Sequence, residues 1–193
     1  MLSKSSMQLM VEEFLKKHLP PQYTYHCYGH TAYVTDTAIQ IARQENCSEQ
    51  EIDLITAAAL WHDTGFVHTC SDHEEQSCRF AREYLPELGL SQHEIELVCG
   101  MIMATKLPQN PKTKLEEIVA DADLEYLGTV HAAKQAELLF REWKFLDPAM
   151  TRREWNEKQI AFLMTHQYFT AYCKKNREPA KKSYLYGLMK EFK

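Results

Sequence analysis

Helix starts are the strongest structural signal in this chain. Four hydroxyl residues each stand three positions before a glutamate and just ahead of an apolar segment with helical spacing: Ser48/Glu51, Ser91/Glu94, Thr113/Glu116 and Thr151/Glu154. In this pattern the hydroxyl takes an unpaired N–H near the helix start, and the glutamate reaches back to the capping residue. Stops fall at matching places. Pro20 and Pro21 close a helix of about residues 5–19, and Asn46 follows one of about 26–45. Pro86 closes one of about 72–85, and Gly128 one of about 113–127. No alternating β-branched run and no Asn-Gly or Asp-Gly hairpin competes with them. The pattern predicts an all-α fold, a compact bundle of about eight or nine helices forming one domain over residues 1–193. Leu107-Pro108-Gln109-Asn110-Pro111 is the clearest loop, and a break near Asp147-Pro148 precedes a long C-terminal helix.

Composition narrows the function classes. At 193 residues the chain is long enough to bury a sizeable core. A net charge of −5 argues against a broad basic face, so long nucleic acid is not the expected partner. The six cysteines, at 27, 47, 70, 78, 99 and 173, form no Cys-x-x-Cys pair. Scattered thiols without an apolar leader read as reduced, and the expected location is cytoplasmic. The longest apolar stretch, around Ala57 to Trp61, is too short to span a bilayer, so no membrane partner is expected.

Three short segments carry the chemistry: His26-Cys27-Tyr28-Gly29-His30, His62-Asp63 and Ala120-Asp121-Ala122-Asp123. His26 and His30 lie four apart, which puts them on one face of the expected helix. Taken alone, such a pair is more often hydrogen-bonded than metal-bound. His62-Asp63 changes that balance, because it follows the apolar run Ile55 to Trp61 into the expected core. Buried ionisable groups need partners, and a divalent metal serves both. Asp121 and Asp123 follow a third amphipathic run. One is expected to complete the metal shell, and the other to orient a ligand or water; the residues alone leave the order open. Lys106, between a helix end and the 107–111 loop, is a candidate phosphate contact; the alternative is a solvated lysine favoured by the helix dipole. His166 and Arg177 are eleven apart, and read more simply as an interior histidine and a surface arginine than as a pocket wall.

The order H…HD…D resembles the HD superfamily of metal-dependent phosphohydrolases, over about Tyr25 to Gly128. Tyr25-His26-x-x-x-His30-x-x-x-Val34 is similar to the start of the catalytic domain in cyclic-nucleotide phosphodiesterases, although the chain is much shorter and shows no match to their purine clamp. Overall it is most similar to small stand-alone bacterial HD-domain proteins. The resemblance implies His26 as general acid and His30, His62 and Asp63 as metal ligands, with Asp63 able to bridge a second ion. The last ligand of the family best matches Asp121, with Asp123 as the alternative. His73 and Glu74 match a position that carries site residues in HD proteins, as outer partners or second-metal ligands.

The implied cofactor is a divalent ion, Mn, Fe, Co, Ni, Zn or Mg, that activates a water for attack on phosphorus. The implied substrate is a small, nucleotide-like phosphate mono- or diester. The rival reading is a catalytically silent sensor or scaffold that binds a nucleotide or metal. Metal-dependent turnover of a generic aryl phosphate separates the two.

Overall fold

A computed structural model describes residues 4–191; residues 1–3 and 192–193 of the expected domain lie outside the described residues. Every regular element among the described residues is helical. In chain order these are α1 (Lys4–His18), α2 (Tyr28–Gln44), α3 (Glu49–Trp61), α4 (His73–Tyr84), α5 (Gln92–Met103) and α6 (Lys114–Asp123). Then follow α7 (Ala132–Leu146), α8 (Arg152–Thr165), α9 (Ala171–Asn176) and α10 (Glu178–Glu191). Short 3₁₀ turns at Thr64–Val67, Leu85–Leu88 and Glu125–Gly128 join some of them.

The capping residues behave largely as their chemistry dictates. Ser48, Ser91 and Thr151 form complete reciprocal boxes with Glu51, Glu94 and Glu154. Thr113 accepts the Glu116 N–H, but the Glu116 carboxylate turns instead to the backbone N–H of Lys112, at 2.6 Å. Asn46 follows α2 with a φ of 57°, the left-handed conformation that asparagine tolerates well.

Helix α3 organises the interior. Its run from Ile55 to Trp61 is buried all round, so it needs neighbours on every side, and α1, α2, α5 and α6 supply them. This core is continuous from α1 to α6 and is joined by Tyr168 and Cys173. Two smaller apolar clusters lie beyond it. One gathers Tyr25, Leu124, Tyr126, Leu127 and Leu163; the other gathers Phe140, Met150 and Trp155.

The expected long C-terminal helix is divided into α8, α9 and α10. His166 adopts extended backbone (φ −64°, ψ 135°) and ends α8. Phe169 and Thr170 then direct their N–H groups to the Asp121 carboxylate on α6, both at 2.8 Å. Arg177, between α9 and α10, pairs with the buried Glu125 carboxylate, which Tyr33 also meets. These long-range bonds displace the local ones that would have continued the helix. Gly128 sits against the Arg177 backbone, where an added Cβ would overlap it. Among the described residues, no helix is long and apolar enough to cross a membrane.

Candidate metal centre

His62 and Asp63 are the first residues past α3, so the buried helix delivers them directly into the interior. The turn after them is braced. The Ser77 hydroxyl donates to the His62 carbonyl at 2.6 Å and accepts the Gly65 N–H at 2.8 Å. Gly65 presses against the first residue of α4, and any Cβ there would overlap the His73 carbonyl. This contact holds His73 close to the His-Asp pair.

One atom each from His30, His62 and Asp123 lies within 4.8 Å of the others. His30 Nε2 is 3.0 Å from Asp123 Oδ1, and His62 Nε2 is 3.5 Å from the same oxygen. Asp63 Oδ2 joins them at 3.4 Å from His30 Nε2 and 3.2 Å from His62 Nε2. Its other oxygen, Oδ1, is 3.4 Å from His73 Nε2, and Glu74 Oε1 is 3.5 Å from that nitrogen. The structure therefore brings together His30, His62, Asp63, Asp123, His73 and Glu74.

Asp121 does not join them, and this corrects the expectation that it best matches the last ligand. The aspartates stand two positions apart on α6, about 200° of helical rotation, so they face opposite ways. Asp121 is fully buried on the far side, where Thr170 donates from its hydroxyl at 2.6 Å in addition to the two backbone N–H groups. Burial pushes its pKa up, against those hydrogen bonds. Asp121 anchors the C-terminal helices, and Asp123 occupies the place foreseen for it.

The cluster can hold a cation. Among the described residues, His62 Nε2 and Asp63 Oδ2 are buried without a hydrogen-bond partner, a costly state that a metal ligand would relieve. His62 Nδ1 lies 2.8 Å from the Ala59 carbonyl, which can only accept. That contact keeps the proton on Nδ1 and turns the Nε2 lone pair toward the cluster. Burial works against charge on His62, but Asp63 and Asp123 outweigh it and hold the pKa well above the ordinary imidazole value. Burial likewise opposes ionisation of Asp63 and Asp123, yet the neighbouring histidines keep both carboxyls below the usual range. Ionised carboxylates and a proton that a cation can replace are the state from which metal binds.

His26 departs from the expected helical register. Helix α2 begins at Tyr28 with Cys27 as its extended N-cap, so His26 precedes the helix and shares no face with His30. The cause is Glu142 of α7. Its buried carboxylate accepts the N–H groups of Tyr25 and His26, at 3.0 and 3.1 Å, and pairs with His26 Nδ1. The His26 ring stacks on Phe66 at 4.0 Å and stays 6.1 Å from the His30 ring. Glu142 left no trace in the sequence, because it lies 116 residues from His26 on an otherwise ordinary amphipathic helix.

Lys106 is already engaged: its ammonium is bound by Asp72 at 2.7 Å and Glu75 at 2.6 Å on the surface, and it is not among the residues that line the cavity beside the cluster. This cavity, of about 420 Å³, is bounded at the cluster end by His26, Asp63, His73 and Asp123.

The HD domain family model matches residues 27–125, more than half of the 193. Among curated proteins no significant match is found. Solved structures share the fold. A predicted HD superfamily hydrolase from an uncultured Thermotogales bacterium is 23% identical, with a TM-score of 0.64 over 97% of this chain and 90% of that one. Bacillus subtilis YpgQ, in complex with ADP, is 18% identical, with a TM-score of 0.67 over 97% of this chain and 94% of its own. The Lin1889 protein of Listeria innocua is 17% identical, with a TM-score of 0.64 over 99% and 98%. With the His30, His62-Asp63 and Asp123 cluster inside the matched segment, the chain belongs to the HD-domain family.

Proposed function

We propose that this protein is a metal-dependent phosphohydrolase acting on a phosphate ester of a nucleotide or another small metabolite. The observation that carries the reading is the buried, converging set of His30, His62, Asp63 and Asp123, with two orphaned polar atoms among them. These four would hold a divalent ion, with His73 and Glu74 beside Asp63 as outer partners. When bound, the ion supplies Lewis-acid polarisation of a phosphoryl oxygen and a nucleophilic water at neutral pH. Mixed nitrogen and oxygen donors suit a transition ion better than Ca²⁺.

The chain's own residues supply the proton transfer. Glu142 holds the proton on His26 Nδ1, so that a second proton, carried on Nε2, would be the one passed to the departing alkoxide. Tyr25, its ring 4.6 Å from that of His30, packs beside the cluster and helps exclude water. With Lys106 engaged by Asp72 and Glu75, the phosphoryl charge would be left mainly to an ion held by His30, His62, Asp63 and Asp123. The ADP held by the structurally similar YpgQ supports a nucleotide-like substrate.

The deciding experiment screens nucleoside monophosphates, cyclic nucleotides, oligonucleotides and small phosphate esters with Mn²⁺, Co²⁺, Ni²⁺ and Mg²⁺. Metal-dependent release of phosphate or opening of a small ester supports the proposal. Bound metal with no turnover of any substrate favours the sensor reading instead.

A further inference from the structure

The cavity beside the cluster has a polar end and an apolar body. Away from Asp63 and Asp123 its wall includes Leu127, Leu139, Trp143, Trp155 and Phe162. Among the described residues that line it, the only lysine or arginine is Lys158, whose ammonium lies 5.9 Å from the centre of the Trp143 ring. Trp143 and Leu146, also in the wall, are 41% and 50% exposed. Scattered exposed apolar side chains are ordinary, but here they run without a break into a cavity that ends on titratable groups.

That division of chemistry discriminates among phosphate esters. Beyond the phosphate nearest the cluster, a polyphosphate would set further negative charges along a wall that offers one lysine to meet them. A polyol would lose water from its hydroxyls against leucine and phenylalanine, with few partners in exchange. An aromatic or hydrocarbon body would gain from the same walls. Its phosphate would then lie at the polar end.

We propose that the α7–α8 side of the cavity is the specificity subsite, and that it selects a monophosphoryl compound with a large, uncharged, mainly apolar body, a nucleobase being one such group. The inference rests on the phosphohydrolase reading for the role of the polar end, but its test does not require turnover.

Calorimetric binding of inert phosphonates to the Mn²⁺-loaded protein provides that test. The probes are methyl-, benzyl- and 1-naphthylmethylphosphonate, with a polyol phosphonate of naphthyl size for comparison. Affinity should rise at least about tenfold with each added ring, and the polyol should bind no better than methylphosphonate. Ala136→Trp, which fills the cavity from α7, should bring the naphthyl probe down to the methyl level. Phe162→Ala, which removes a wall, should weaken the naphthyl probe more than the benzyl one. Val130→Ser, at a position 93% exposed and outside the cavity wall, should change none of these affinities. Circular dichroism confirms that each variant is folded. A flat ranking, or a polyol that binds most tightly, would overturn the subsite. Graded binding without turnover of any ester would sink the phosphohydrolase reading alone, whereas turnover with a flat ranking would sink the subsite alone.

Discussion

The α1–α6 half and the α7–α10 half of the molecule are built to different standards. In the first, α3 is buried on every side and one continuous core runs through all six helices. In the second, the apolar groups form small clusters, and Trp143, Phe145, Leu146 and Met164 remain exposed. The first half carries His30, His62, Asp63 and Asp123, whose side chains must keep fixed positions relative to one another. Dense packing holds them there, because close-packed interiors leave side chains few alternatives. The second half supplies about half of the cavity wall, and with it the tryptophans. Its task is to leave shaped space, which a looser assembly of helices does well. The difference separates where the chemistry is held from where a substrate body is chosen. The HD family match covers α2 to α6 of the first half and no helix of the second. His26 and Glu142 bridge the two, and both lie outside it, His26 by a single residue.

The largest effect should come from within the dense half. Asp63→Ala and Asp123→Asn should each lose bound metal and bring turnover to background, as read by elemental analysis and a phosphatase assay. Asp121→Asn should keep the metal. The opposite pattern would return the ligand role to Asp121 and break the correspondence between the cluster and its chemistry.

The bridge between halves comes next. His26→Ala and Glu142→Gln should keep the metal and lower kcat by about 10²–10⁴-fold for esters with poor alkoxide leaving groups. Nitrophenyl phosphate should suffer less, since nitrophenolate needs little protonation. Equal losses on both substrates would restrict Glu142 to holding the Tyr25-His26 backbone.

Stability should report how the second half is attached to the first. Asp121→Ala strands the N–H groups of Phe169 and Thr170 and should cost about 2–4 kcal/mol in chemical denaturation. A change within error would mean that α9 is held by other contacts.

A smaller effect should follow pH. Burial, reinforced by the nearby Lys181 ammonium, depresses the His166 pKa to about 4. The unfolded chain therefore takes up this proton first. The contribution to stability is complete above the unfolded value of about 6.5 and is lost as pH falls toward the folded one. His166→Asn should flatten that part of the stability profile. The smallest effect is expected for Lys106→Ala. Its exposed ion pairs are screened by solvent and add little to stability, and turnover should stay within about twofold of the wild type. A large loss of turnover would restore Lys106 as a phosphate contact.

Local chemistry made much of this protein legible in its sequence. Capping pairs, helix stops and the apolar run into His62-Asp63 act over a few residues, where hydrogen-bond geometry and helical periodicity set the outcome almost alone. They specified the all-α class and most helix boundaries, whereas the grouping of His30 with His62 and Asp63 rested on the resemblance of the motif order to HD proteins. The choice between Asp121 and Asp123 was not legible, because both follow the same apolar run and differ only in which neighbour each meets. Thr170 and the histidines, distant in sequence, made that choice. The same holds for the C-terminal helix divided at His166 and Arg177, for His26 drawn out of α2, and for Glu142. In each case a partner many residues away supplied a hydrogen bond or ion pair that outweighed the local preference. Only the packed fold determines which such partner is within reach.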